Sequence, residues 1–207
     1  NKDDKNIYET TISPSANQSE ILIPEIERIL NQNHISYQDL SLISATNGPG
    51  SFTGSRIALT AARTIKLATN IPLILLNSCQ IIAFKHQKQL KNHESIFVAL
   101  DARGNEIFYA TYNSLDEINK TNSLPKITTI KNIANFTPQN NFFLCGSATS
   151  IIKPLLKSQN FNNSQKDDII EANILATMAF TLHKTDYQPT NLNPIYLRSP
   201  RITQRKK

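Results

Sequence analysis

Apolar and polar residues follow one another in blocks whose period changes along the chain. "NIYETTI" alternates enough for an edge or hairpin strand. In "SEILIPEIERILNQN", Ile21, Ile26, Ile29 and Leu30 fall near helical spacing, with Pro24 in an early turn or at the true start. "LSLISAT" is a short strand. After Phe52 the pattern turns helical: Ile57, Ala61, Ile65 and Ala68 recur every three or four residues and make one face. Ala58 and Ala62 widen that face with small side chains, while Arg56, Arg63 and Lys66 lie off it. "IPLILLNS" is almost wholly apolar, which predicts a strand in a sheet covered on both sides. A helix is expected over "SCQIIAFKHQKQL". "SIFVALDAR" and "EIFYATYN" read as two strands joined through Gly104 and Asn105, which both tolerate positive φ. "SLDEINKTNSLPK" reads as loop, and "NFFLCGSA" as a buried strand ended by Gly146. "IIEANILATMAFTLHKT" predicts a long helix with Ile170, Ile174, Ala176, Met178 and Leu182 inward, and "NPIYLRSP" closes the chain.

Strands and helices thus alternate in the first half, and a strand pair opens the second. The expected class is α/β, as two abutting lobes over residues 1–94 and 95–207. "NKDDKN" reads as a hairpin tip and the first residue is Asn1 rather than Met, so strands are expected upstream of it. The chain has 207 residues, 39% hydrophobic and 18% charged, enough for a real core. No apolar stretch reaches the roughly 18 residues of a membrane span. Net charge is +6, compatible with an RNA-processing role. The tail "RITQRKK" supplies Arg201, Arg205, Lys206 and Lys207, as a solvated end or as a contact to RNA or an acidic partner. Cys79 and Cys145 lie in apolar surroundings and read as buried free thiols. His34, His86, His93 and His183 sit in unrelated segments without metal-ligand spacing and read as surface or helix-cap residues, so no metal is expected.

The densest motif is "NGPGSFTGSR", where Gly48, Gly50 and Gly54 stand between a strand and a helix. Such a junction can cradle phosphate. Gly48, Gly50, Ser51, Thr53 and Gly54 are therefore weak candidates for a nucleotide site. The pattern nonetheless lacks the Lys of a phosphate loop, since Ser55 and Arg56 follow Gly54. It is one residue too long for a dinucleotide fingerprint, and the next strand ends at Asn77 where that fingerprint wants an acid. A serine elbow does not fit either. A structural turn, with Ser51 or Thr53 capping the helix, is the other reading. Asp101 stands alone, as a cation ligand or base, or as a turn-organising carboxylate paired with Arg103.

"GPGSFTGSRIALTAARTIKLATNIPLILLNS" closely resembles the signature of the bacterial TsaB (YeaZ) family of tRNA threonylcarbamoyladenosine biosynthesis proteins. "ALDARGNEIFYATY", "FFLCGSA" and "NPIYLR" resemble further family segments in the same order. The family's first strand, with its Ile-Asp-Thr-like motif, has no match here, and Gln18 stands where members carry His before S-E-x-L-L-P. The resemblance implies the actin-like architecture shared with acetate kinase, sugar kinases and Hsp70. It also implies a cytoplasmic, non-catalytic subunit that pairs with a TsaD-like transferase, with a TsaE-like ATPase joining, or with itself when alone. The complex would carry threonylcarbamoyl to the adenosine beside the anticodon of tRNAs reading codons that begin with A. No cofactor is implied for the chain alone, with room for ATP or ADP at a site shared with the partner. Helices of the first lobe would form the interface, through Ile26, Ile29, Leu30, Arg56, Ala58, Ala61, Ala62, Ile65 and Ala68. The small apolar face lets another helix approach closely. It could equally close the chain's own core. A kinase-like phosphotransferase would need a phosphate loop and an acid for magnesium, and a glycoprotease-like peptidase a nucleophile with a base or metal. Neither constellation is visible.

Overall fold

A computed structural model describes residues 7–12, 17–120, 124–156, 159–185 and 193–198. Helix α1 (Gln18–Gln32) is amphipathic and buries no side chain completely. Pro24 lies inside it rather than at its start. Strand β1 (Ile43–Thr46) leads through the glycine loop into α2 (Phe52–Thr69), which returns to β2 (Leu73–Leu76). β1 and β2 pair in parallel, from Ile43 opposite Leu73 to Thr46 opposite Leu76. α1 packs on α2. The chain continues through α3 (Ser78–Lys85), β3 (Ser95–Arg103), β4 (Glu106–Tyr112), α4 (Leu115–Asn119), β5 (Lys126–Thr129), β6 (Phe142–Cys145), α5 (Thr149–Ile152), β7 (Phe161–Asn163) and α6 (Ala172–His183). The second sheet has the order β5-β4-β3-β6-β7. Its first three strands are antiparallel, whereas β3, β6 and β7 run parallel.

The period of two in the strands sorts side chains between three cores. Leu73 and Leu75 face α2, where they meet Ala45, Leu59 and Ala62. Ile74 and Leu76 face the opposite way, into the central core. There they join Ile96, Val98 and Leu100 of β3, Phe143 and Cys145 of β6, and Met178, Ala179 and Leu182 of α6. Phe97, Ala99, Phe142 and Leu144 point to the far side of the second sheet. α6, although late in the chain, packs on α3, β1 and β2. Of its expected inward residues Met178 and Leu182 are buried and Ile174 is half-buried. Ala176 and the preceding Ile170 are exposed, and Ala179 is buried instead.

Three local expectations change. Residues 7–12 form no strand and pair with no strand among the described residues, and the Glu9 carboxylate instead accepts the N–H of Ala172 at the start of α6 (3.1 Å). The stretch read as loop holds α4, which turns Ile118 into the core, and its last residue, Lys126, opens β5. The long helix begins only at Ala172. The β3–β4 turn follows its sequence: Gly104 and Asn105 have φ of 64° and 66°, and Arg103 pairs with Glu106 across it. "NKDDKN" and "RITQRKK" lie outside the described residues.

Candidate functional site

The glycine loop is tied down by its own backbone. Gly48 N–H donates to Thr46 Oγ1 (3.2 Å), and Gly48 O accepts from Ser78 N–H (2.8 Å). Asn47 O accepts Ile195 N–H (2.8 Å), which anchors the closing segment on the loop. Gly48 has φ +94°, and a Cβ there would stand 3.3 Å from Ile195 O, so this glycine permits a close approach. Ser51, not Thr53, caps α2: its hydroxyl accepts the Gly54 N–H, and its carbonyl accepts the Ser55 N–H. The Gly54 donor is thereby satisfied within the chain, and the Ser55 bond is the first of the helix's own ladder. Gly50 lines an open cleft, and Thr53 is exposed. Asn77, in the position a dinucleotide site gives to an acid, caps α3 through Gln80 N–H.

The cleft has a volume of about 1080 Å³ and lies between the start of α2, the end of β3 and the closing segment 193–198. Arg56 and Arg63 come from α2, Arg103 from the hairpin, and Arg198 from the closing segment. Asp101 is the one carboxylate among the described lining residues. Its Oδ1 accepts the backbone N–H of Arg103 (2.7 Å), so it organises the turn through the main chain rather than by pairing with the guanidinium. A shift of pairing between Asp101 and Arg103 marks a bulge, and Asp101, Ala102 and Arg103 all line the cleft. Arg198 is held by the Arg103 carbonyl (2.6 Å) and by the Glu106 carboxylate. Arg63 donates to Asn193 Oδ1 (3.5 Å). Arg56 lies over the Phe52 ring, 5.2 Å from its centroid, and Phe52 in turn meets Tyr196 at 5.1 Å.

The residues expected at a helical interface separate. Ile26, Ile29 and Leu30 on α1, and Ala58, Ala61 and Ile65 on α2, are half-buried, and Ala68 is exposed. Ala62 is only 5% exposed and belongs to the chain's own core against β1 and β2. Arg56 lines the cleft.

A second polar cluster was invisible to spacing arguments. Asp168, 5% exposed, receives hydrogen bonds from His86 Nε2 (2.9 Å), Lys85 Nζ (2.9 Å) and Gly146 N–H (3.1 Å). Burial opposes its charge, but these three donors outweigh burial and hold the carboxyl well below its usual range. Lys85 also pairs with Glu171 (2.7 Å). The His86, Cys145 and Asp168 ligand atoms lie within 4.8 Å of one another. This set does not fit a metal. The Lys85 ammonium already occupies the cation's place on Asp168, and burial pushes the Cys145 thiol well up, keeping it protonated. Cys79 and Cys145 are buried free thiols. His86 ends α3, and His93 bridges Gln89 O (3.0 Å) and Asn162 Nδ2 (3.0 Å). His34 and His183 are exposed.

Residues 11–189 match the family model "TsaD: tRNA N6-adenosine threonylcarbamoyltransferase". The chain is 31% identical over 91 residues to the tRNA threonylcarbamoyladenosine biosynthesis protein TsaB of Buchnera aphidicola subsp. Acyrthosiphon pisum, covering 44% of this chain and 41% of that protein. It is 29% identical over 91 residues to the TsaB of Escherichia coli, covering 44% and 39%. The alignments therefore span about half the length of these curated relatives or less. Among solved structures, YeaZ from Pseudomonas aeruginosa superposes with a TM-score of 0.71 at 18% identity, over 90% of this chain and 87% of that one. A second Pseudomonas aeruginosa structure, of an uncharacterized protein with similarity to peptidase YEAZ, gives 0.71 at 19%, over 91% and 87%. The fold is thus the actin-like α/β fold. No described helix is long and apolar enough to cross a membrane. The chain belongs to the tRNA N6-adenosine threonylcarbamoyltransferase (TsaD) family, and within it to the TsaB (YeaZ) group.

Proposed function

We propose that this chain is a non-catalytic subunit of tRNA threonylcarbamoyladenosine biosynthesis that acts by binding a TsaD-like transferase. The observation that carries this reading is the α1–α2 face. α1 is an amphipathic helix of 15 residues with no fully buried side chain, and Ile23 on it is 37% exposed. Beside it α2 presents Ala58, Ala61, Ile65 and Ala68 incompletely covered. An amphipathic helix gains most of its stability by burying its apolar face, so this pair is completed by another helical surface. Transfer to the adenosine beside the anticodon, in tRNAs reading codons that begin with A, is then chemistry of the partner. A TsaE-like ATPase joins the pair, ATP or ADP binds at a shared site, and the chain pairs with itself when alone. The cleft supports this division of labour. Its one described carboxylate is engaged with a backbone N–H, and the Gly54 N–H at the start of α2 is already used.

Reconstitution tests the reading. With a TsaD-like transferase, a TsaE-like ATPase, ATP, the threonylcarbamoyl donor and tRNA, modified adenosine should accumulate when this chain is present and fall to background when it is omitted. The chain alone should hydrolyse ATP no faster than buffer. Modification that proceeds unchanged without the chain would contradict the proposal.

A further inference from the structure

We propose that the arginine cleft holds a single-stranded segment of RNA, with a base stacked at the Phe52–Tyr196 pair and phosphates facing Arg56 and Arg103. The inference rests on the tRNA-modification reading and gives this chain a contact of its own with that substrate. Three observations lead to it.

The first is charge. Among the described lining residues, four arginines from three separate segments converge on one cleft, against a single carboxylate that is engaged with a backbone N–H. Arg198 is paired with Glu106, but neither Arg56 nor Arg103 has a carboxylate partner among the described residues. In sequence, the basic residues Arg201, Arg205, Lys206 and Lys207 follow directly on the segment that lines the cleft.

The second is the aromatic pair. Phe52 is 54% exposed and Tyr196 is 50% exposed, and their rings lie 5.1 Å apart at the cleft wall, with the Arg56 guanidinium over Phe52. Large rings left half in water beside cations form the platform on which unpaired bases stack, while the cations track the phosphates.

The third is backbone strain. Arg103 is held at φ +60°, a conformation that costs an L-residue energy, at the end of a strand that bulges on the cleft side. This turn geometry sets Arg103 on the cleft wall. A phosphodiester suits the cleft better than a magnesium triphosphate. One phosphate needs one cation, whereas the metal would need free carboxylates, and Asp101, the one acid among the described lining residues, already accepts the Arg103 N–H.

Fluorescence anisotropy of the full chain with a labelled single-stranded RNA of about twelve nucleotides tests this. Binding should be measurable at low salt and weaken steeply between about 50 and 200 mM salt. Phe52→Ala and Arg56→Gln should each weaken it about tenfold, with unchanged circular dichroism melts. Unlabelled ATP should not displace the RNA at equal concentration. RNA that does not bind, or that binds both variants as tightly as the parent chain, overturns the inference. Displacement by equimolar ATP overturns it in favour of a free nucleotide. Co-elution with the transferase, measured on the same samples, keeps the two readings apart: pairing without RNA binding removes only the cleft inference.

Discussion

Gly146→Ala should be among the most destabilising single changes in the chain. Gly146 has φ +111°, and a Cβ there would lie 2.2 Å from the carbonyl oxygen of Ala99 and 2.9 Å from its carbon. Neither group can step aside. Ala99 sits in β3, which is paired with β4 on one edge and β6 on the other, and its oxygen accepts the Ala148 N–H (3.0 Å). Gly146 itself donates to Asp168 (3.1 Å). Relief would therefore pull the central strand out of register or break the Asp168 cluster. A cost of about 4 kcal/mol or more is expected, a size reached by a short list of lesions that includes strain at a special φ and clashes in the core. That is a large part of the 5–15 kcal/mol or so that holds a domain together. Urea unfolding followed by circular dichroism would show the loss; an unchanged midpoint would contradict it.

Asp168→Ala should destabilise the chain by about 3 kcal/mol, the lower end of the cost of breaking a buried ion pair. Lys85 keeps Glu171, which limits the loss, but His86 and the Gly146 N–H lose their acceptor. The effect depends on pH in a fixed direction. The folded carboxyl is held below its usual range, so in acid the unfolded chain takes up the proton first. The stabilisation is complete above the ordinary carboxyl pKa of about 3.9 and is lost as pH falls through the lower folded value. Parent and variant should differ most near neutrality and converge in acid. A gap in the urea midpoint that widens toward low pH would contradict the assignment.

Elements that own a strong hydrophobic period were legible in the chain. β2 is apolar at every position because its two faces feed two different cores, and α2 shows its helical repeat over 18 residues. The Gly104–Asn105 turn was readable because its positive φ values need those residue types. Elements with little to bury were not. α4 turns a single buried residue, Ile118, into the core from a polar stretch, and β5 and β7 are edge strands of partly exposed residues. "NIYETTI" alternates like a strand, yet a strand exists only with a neighbour to pair with, and residues 7–12 have none among the described residues.

The site was legible only in pieces. The glycine loop and the closing "NPIYLR" stood out as segments, but nothing local says that Ile195 hydrogen-bonds Asn47 or that the two enclose one cleft with the hairpin. The arginines of that cleft are far apart in sequence, so their convergence is a product of topology. Asp168 is the same case: its donors come from α3 and from the end of β6. Ala62 shows the limit of helical periodicity. The repeat groups it with the small-residue face, while the true rotation of α2 turns it onto β1 and β2.

The central claim is that the α1–α2 face binds a TsaD-like transferase, and co-elution of the two purified proteins tests it most directly. The parent chain should run with the transferase as one complex. Ala68→Glu, at an exposed position, should keep the parent's circular dichroism melt, and Ala61→Glu should still fold. Each should weaken pairing by about 3 kcal/mol, roughly a hundredfold, because a lone carboxylate would be buried between apolar helices. Separate elution of the parent chain and the transferase, or folded variants that pair as tightly as the parent, would contradict the account.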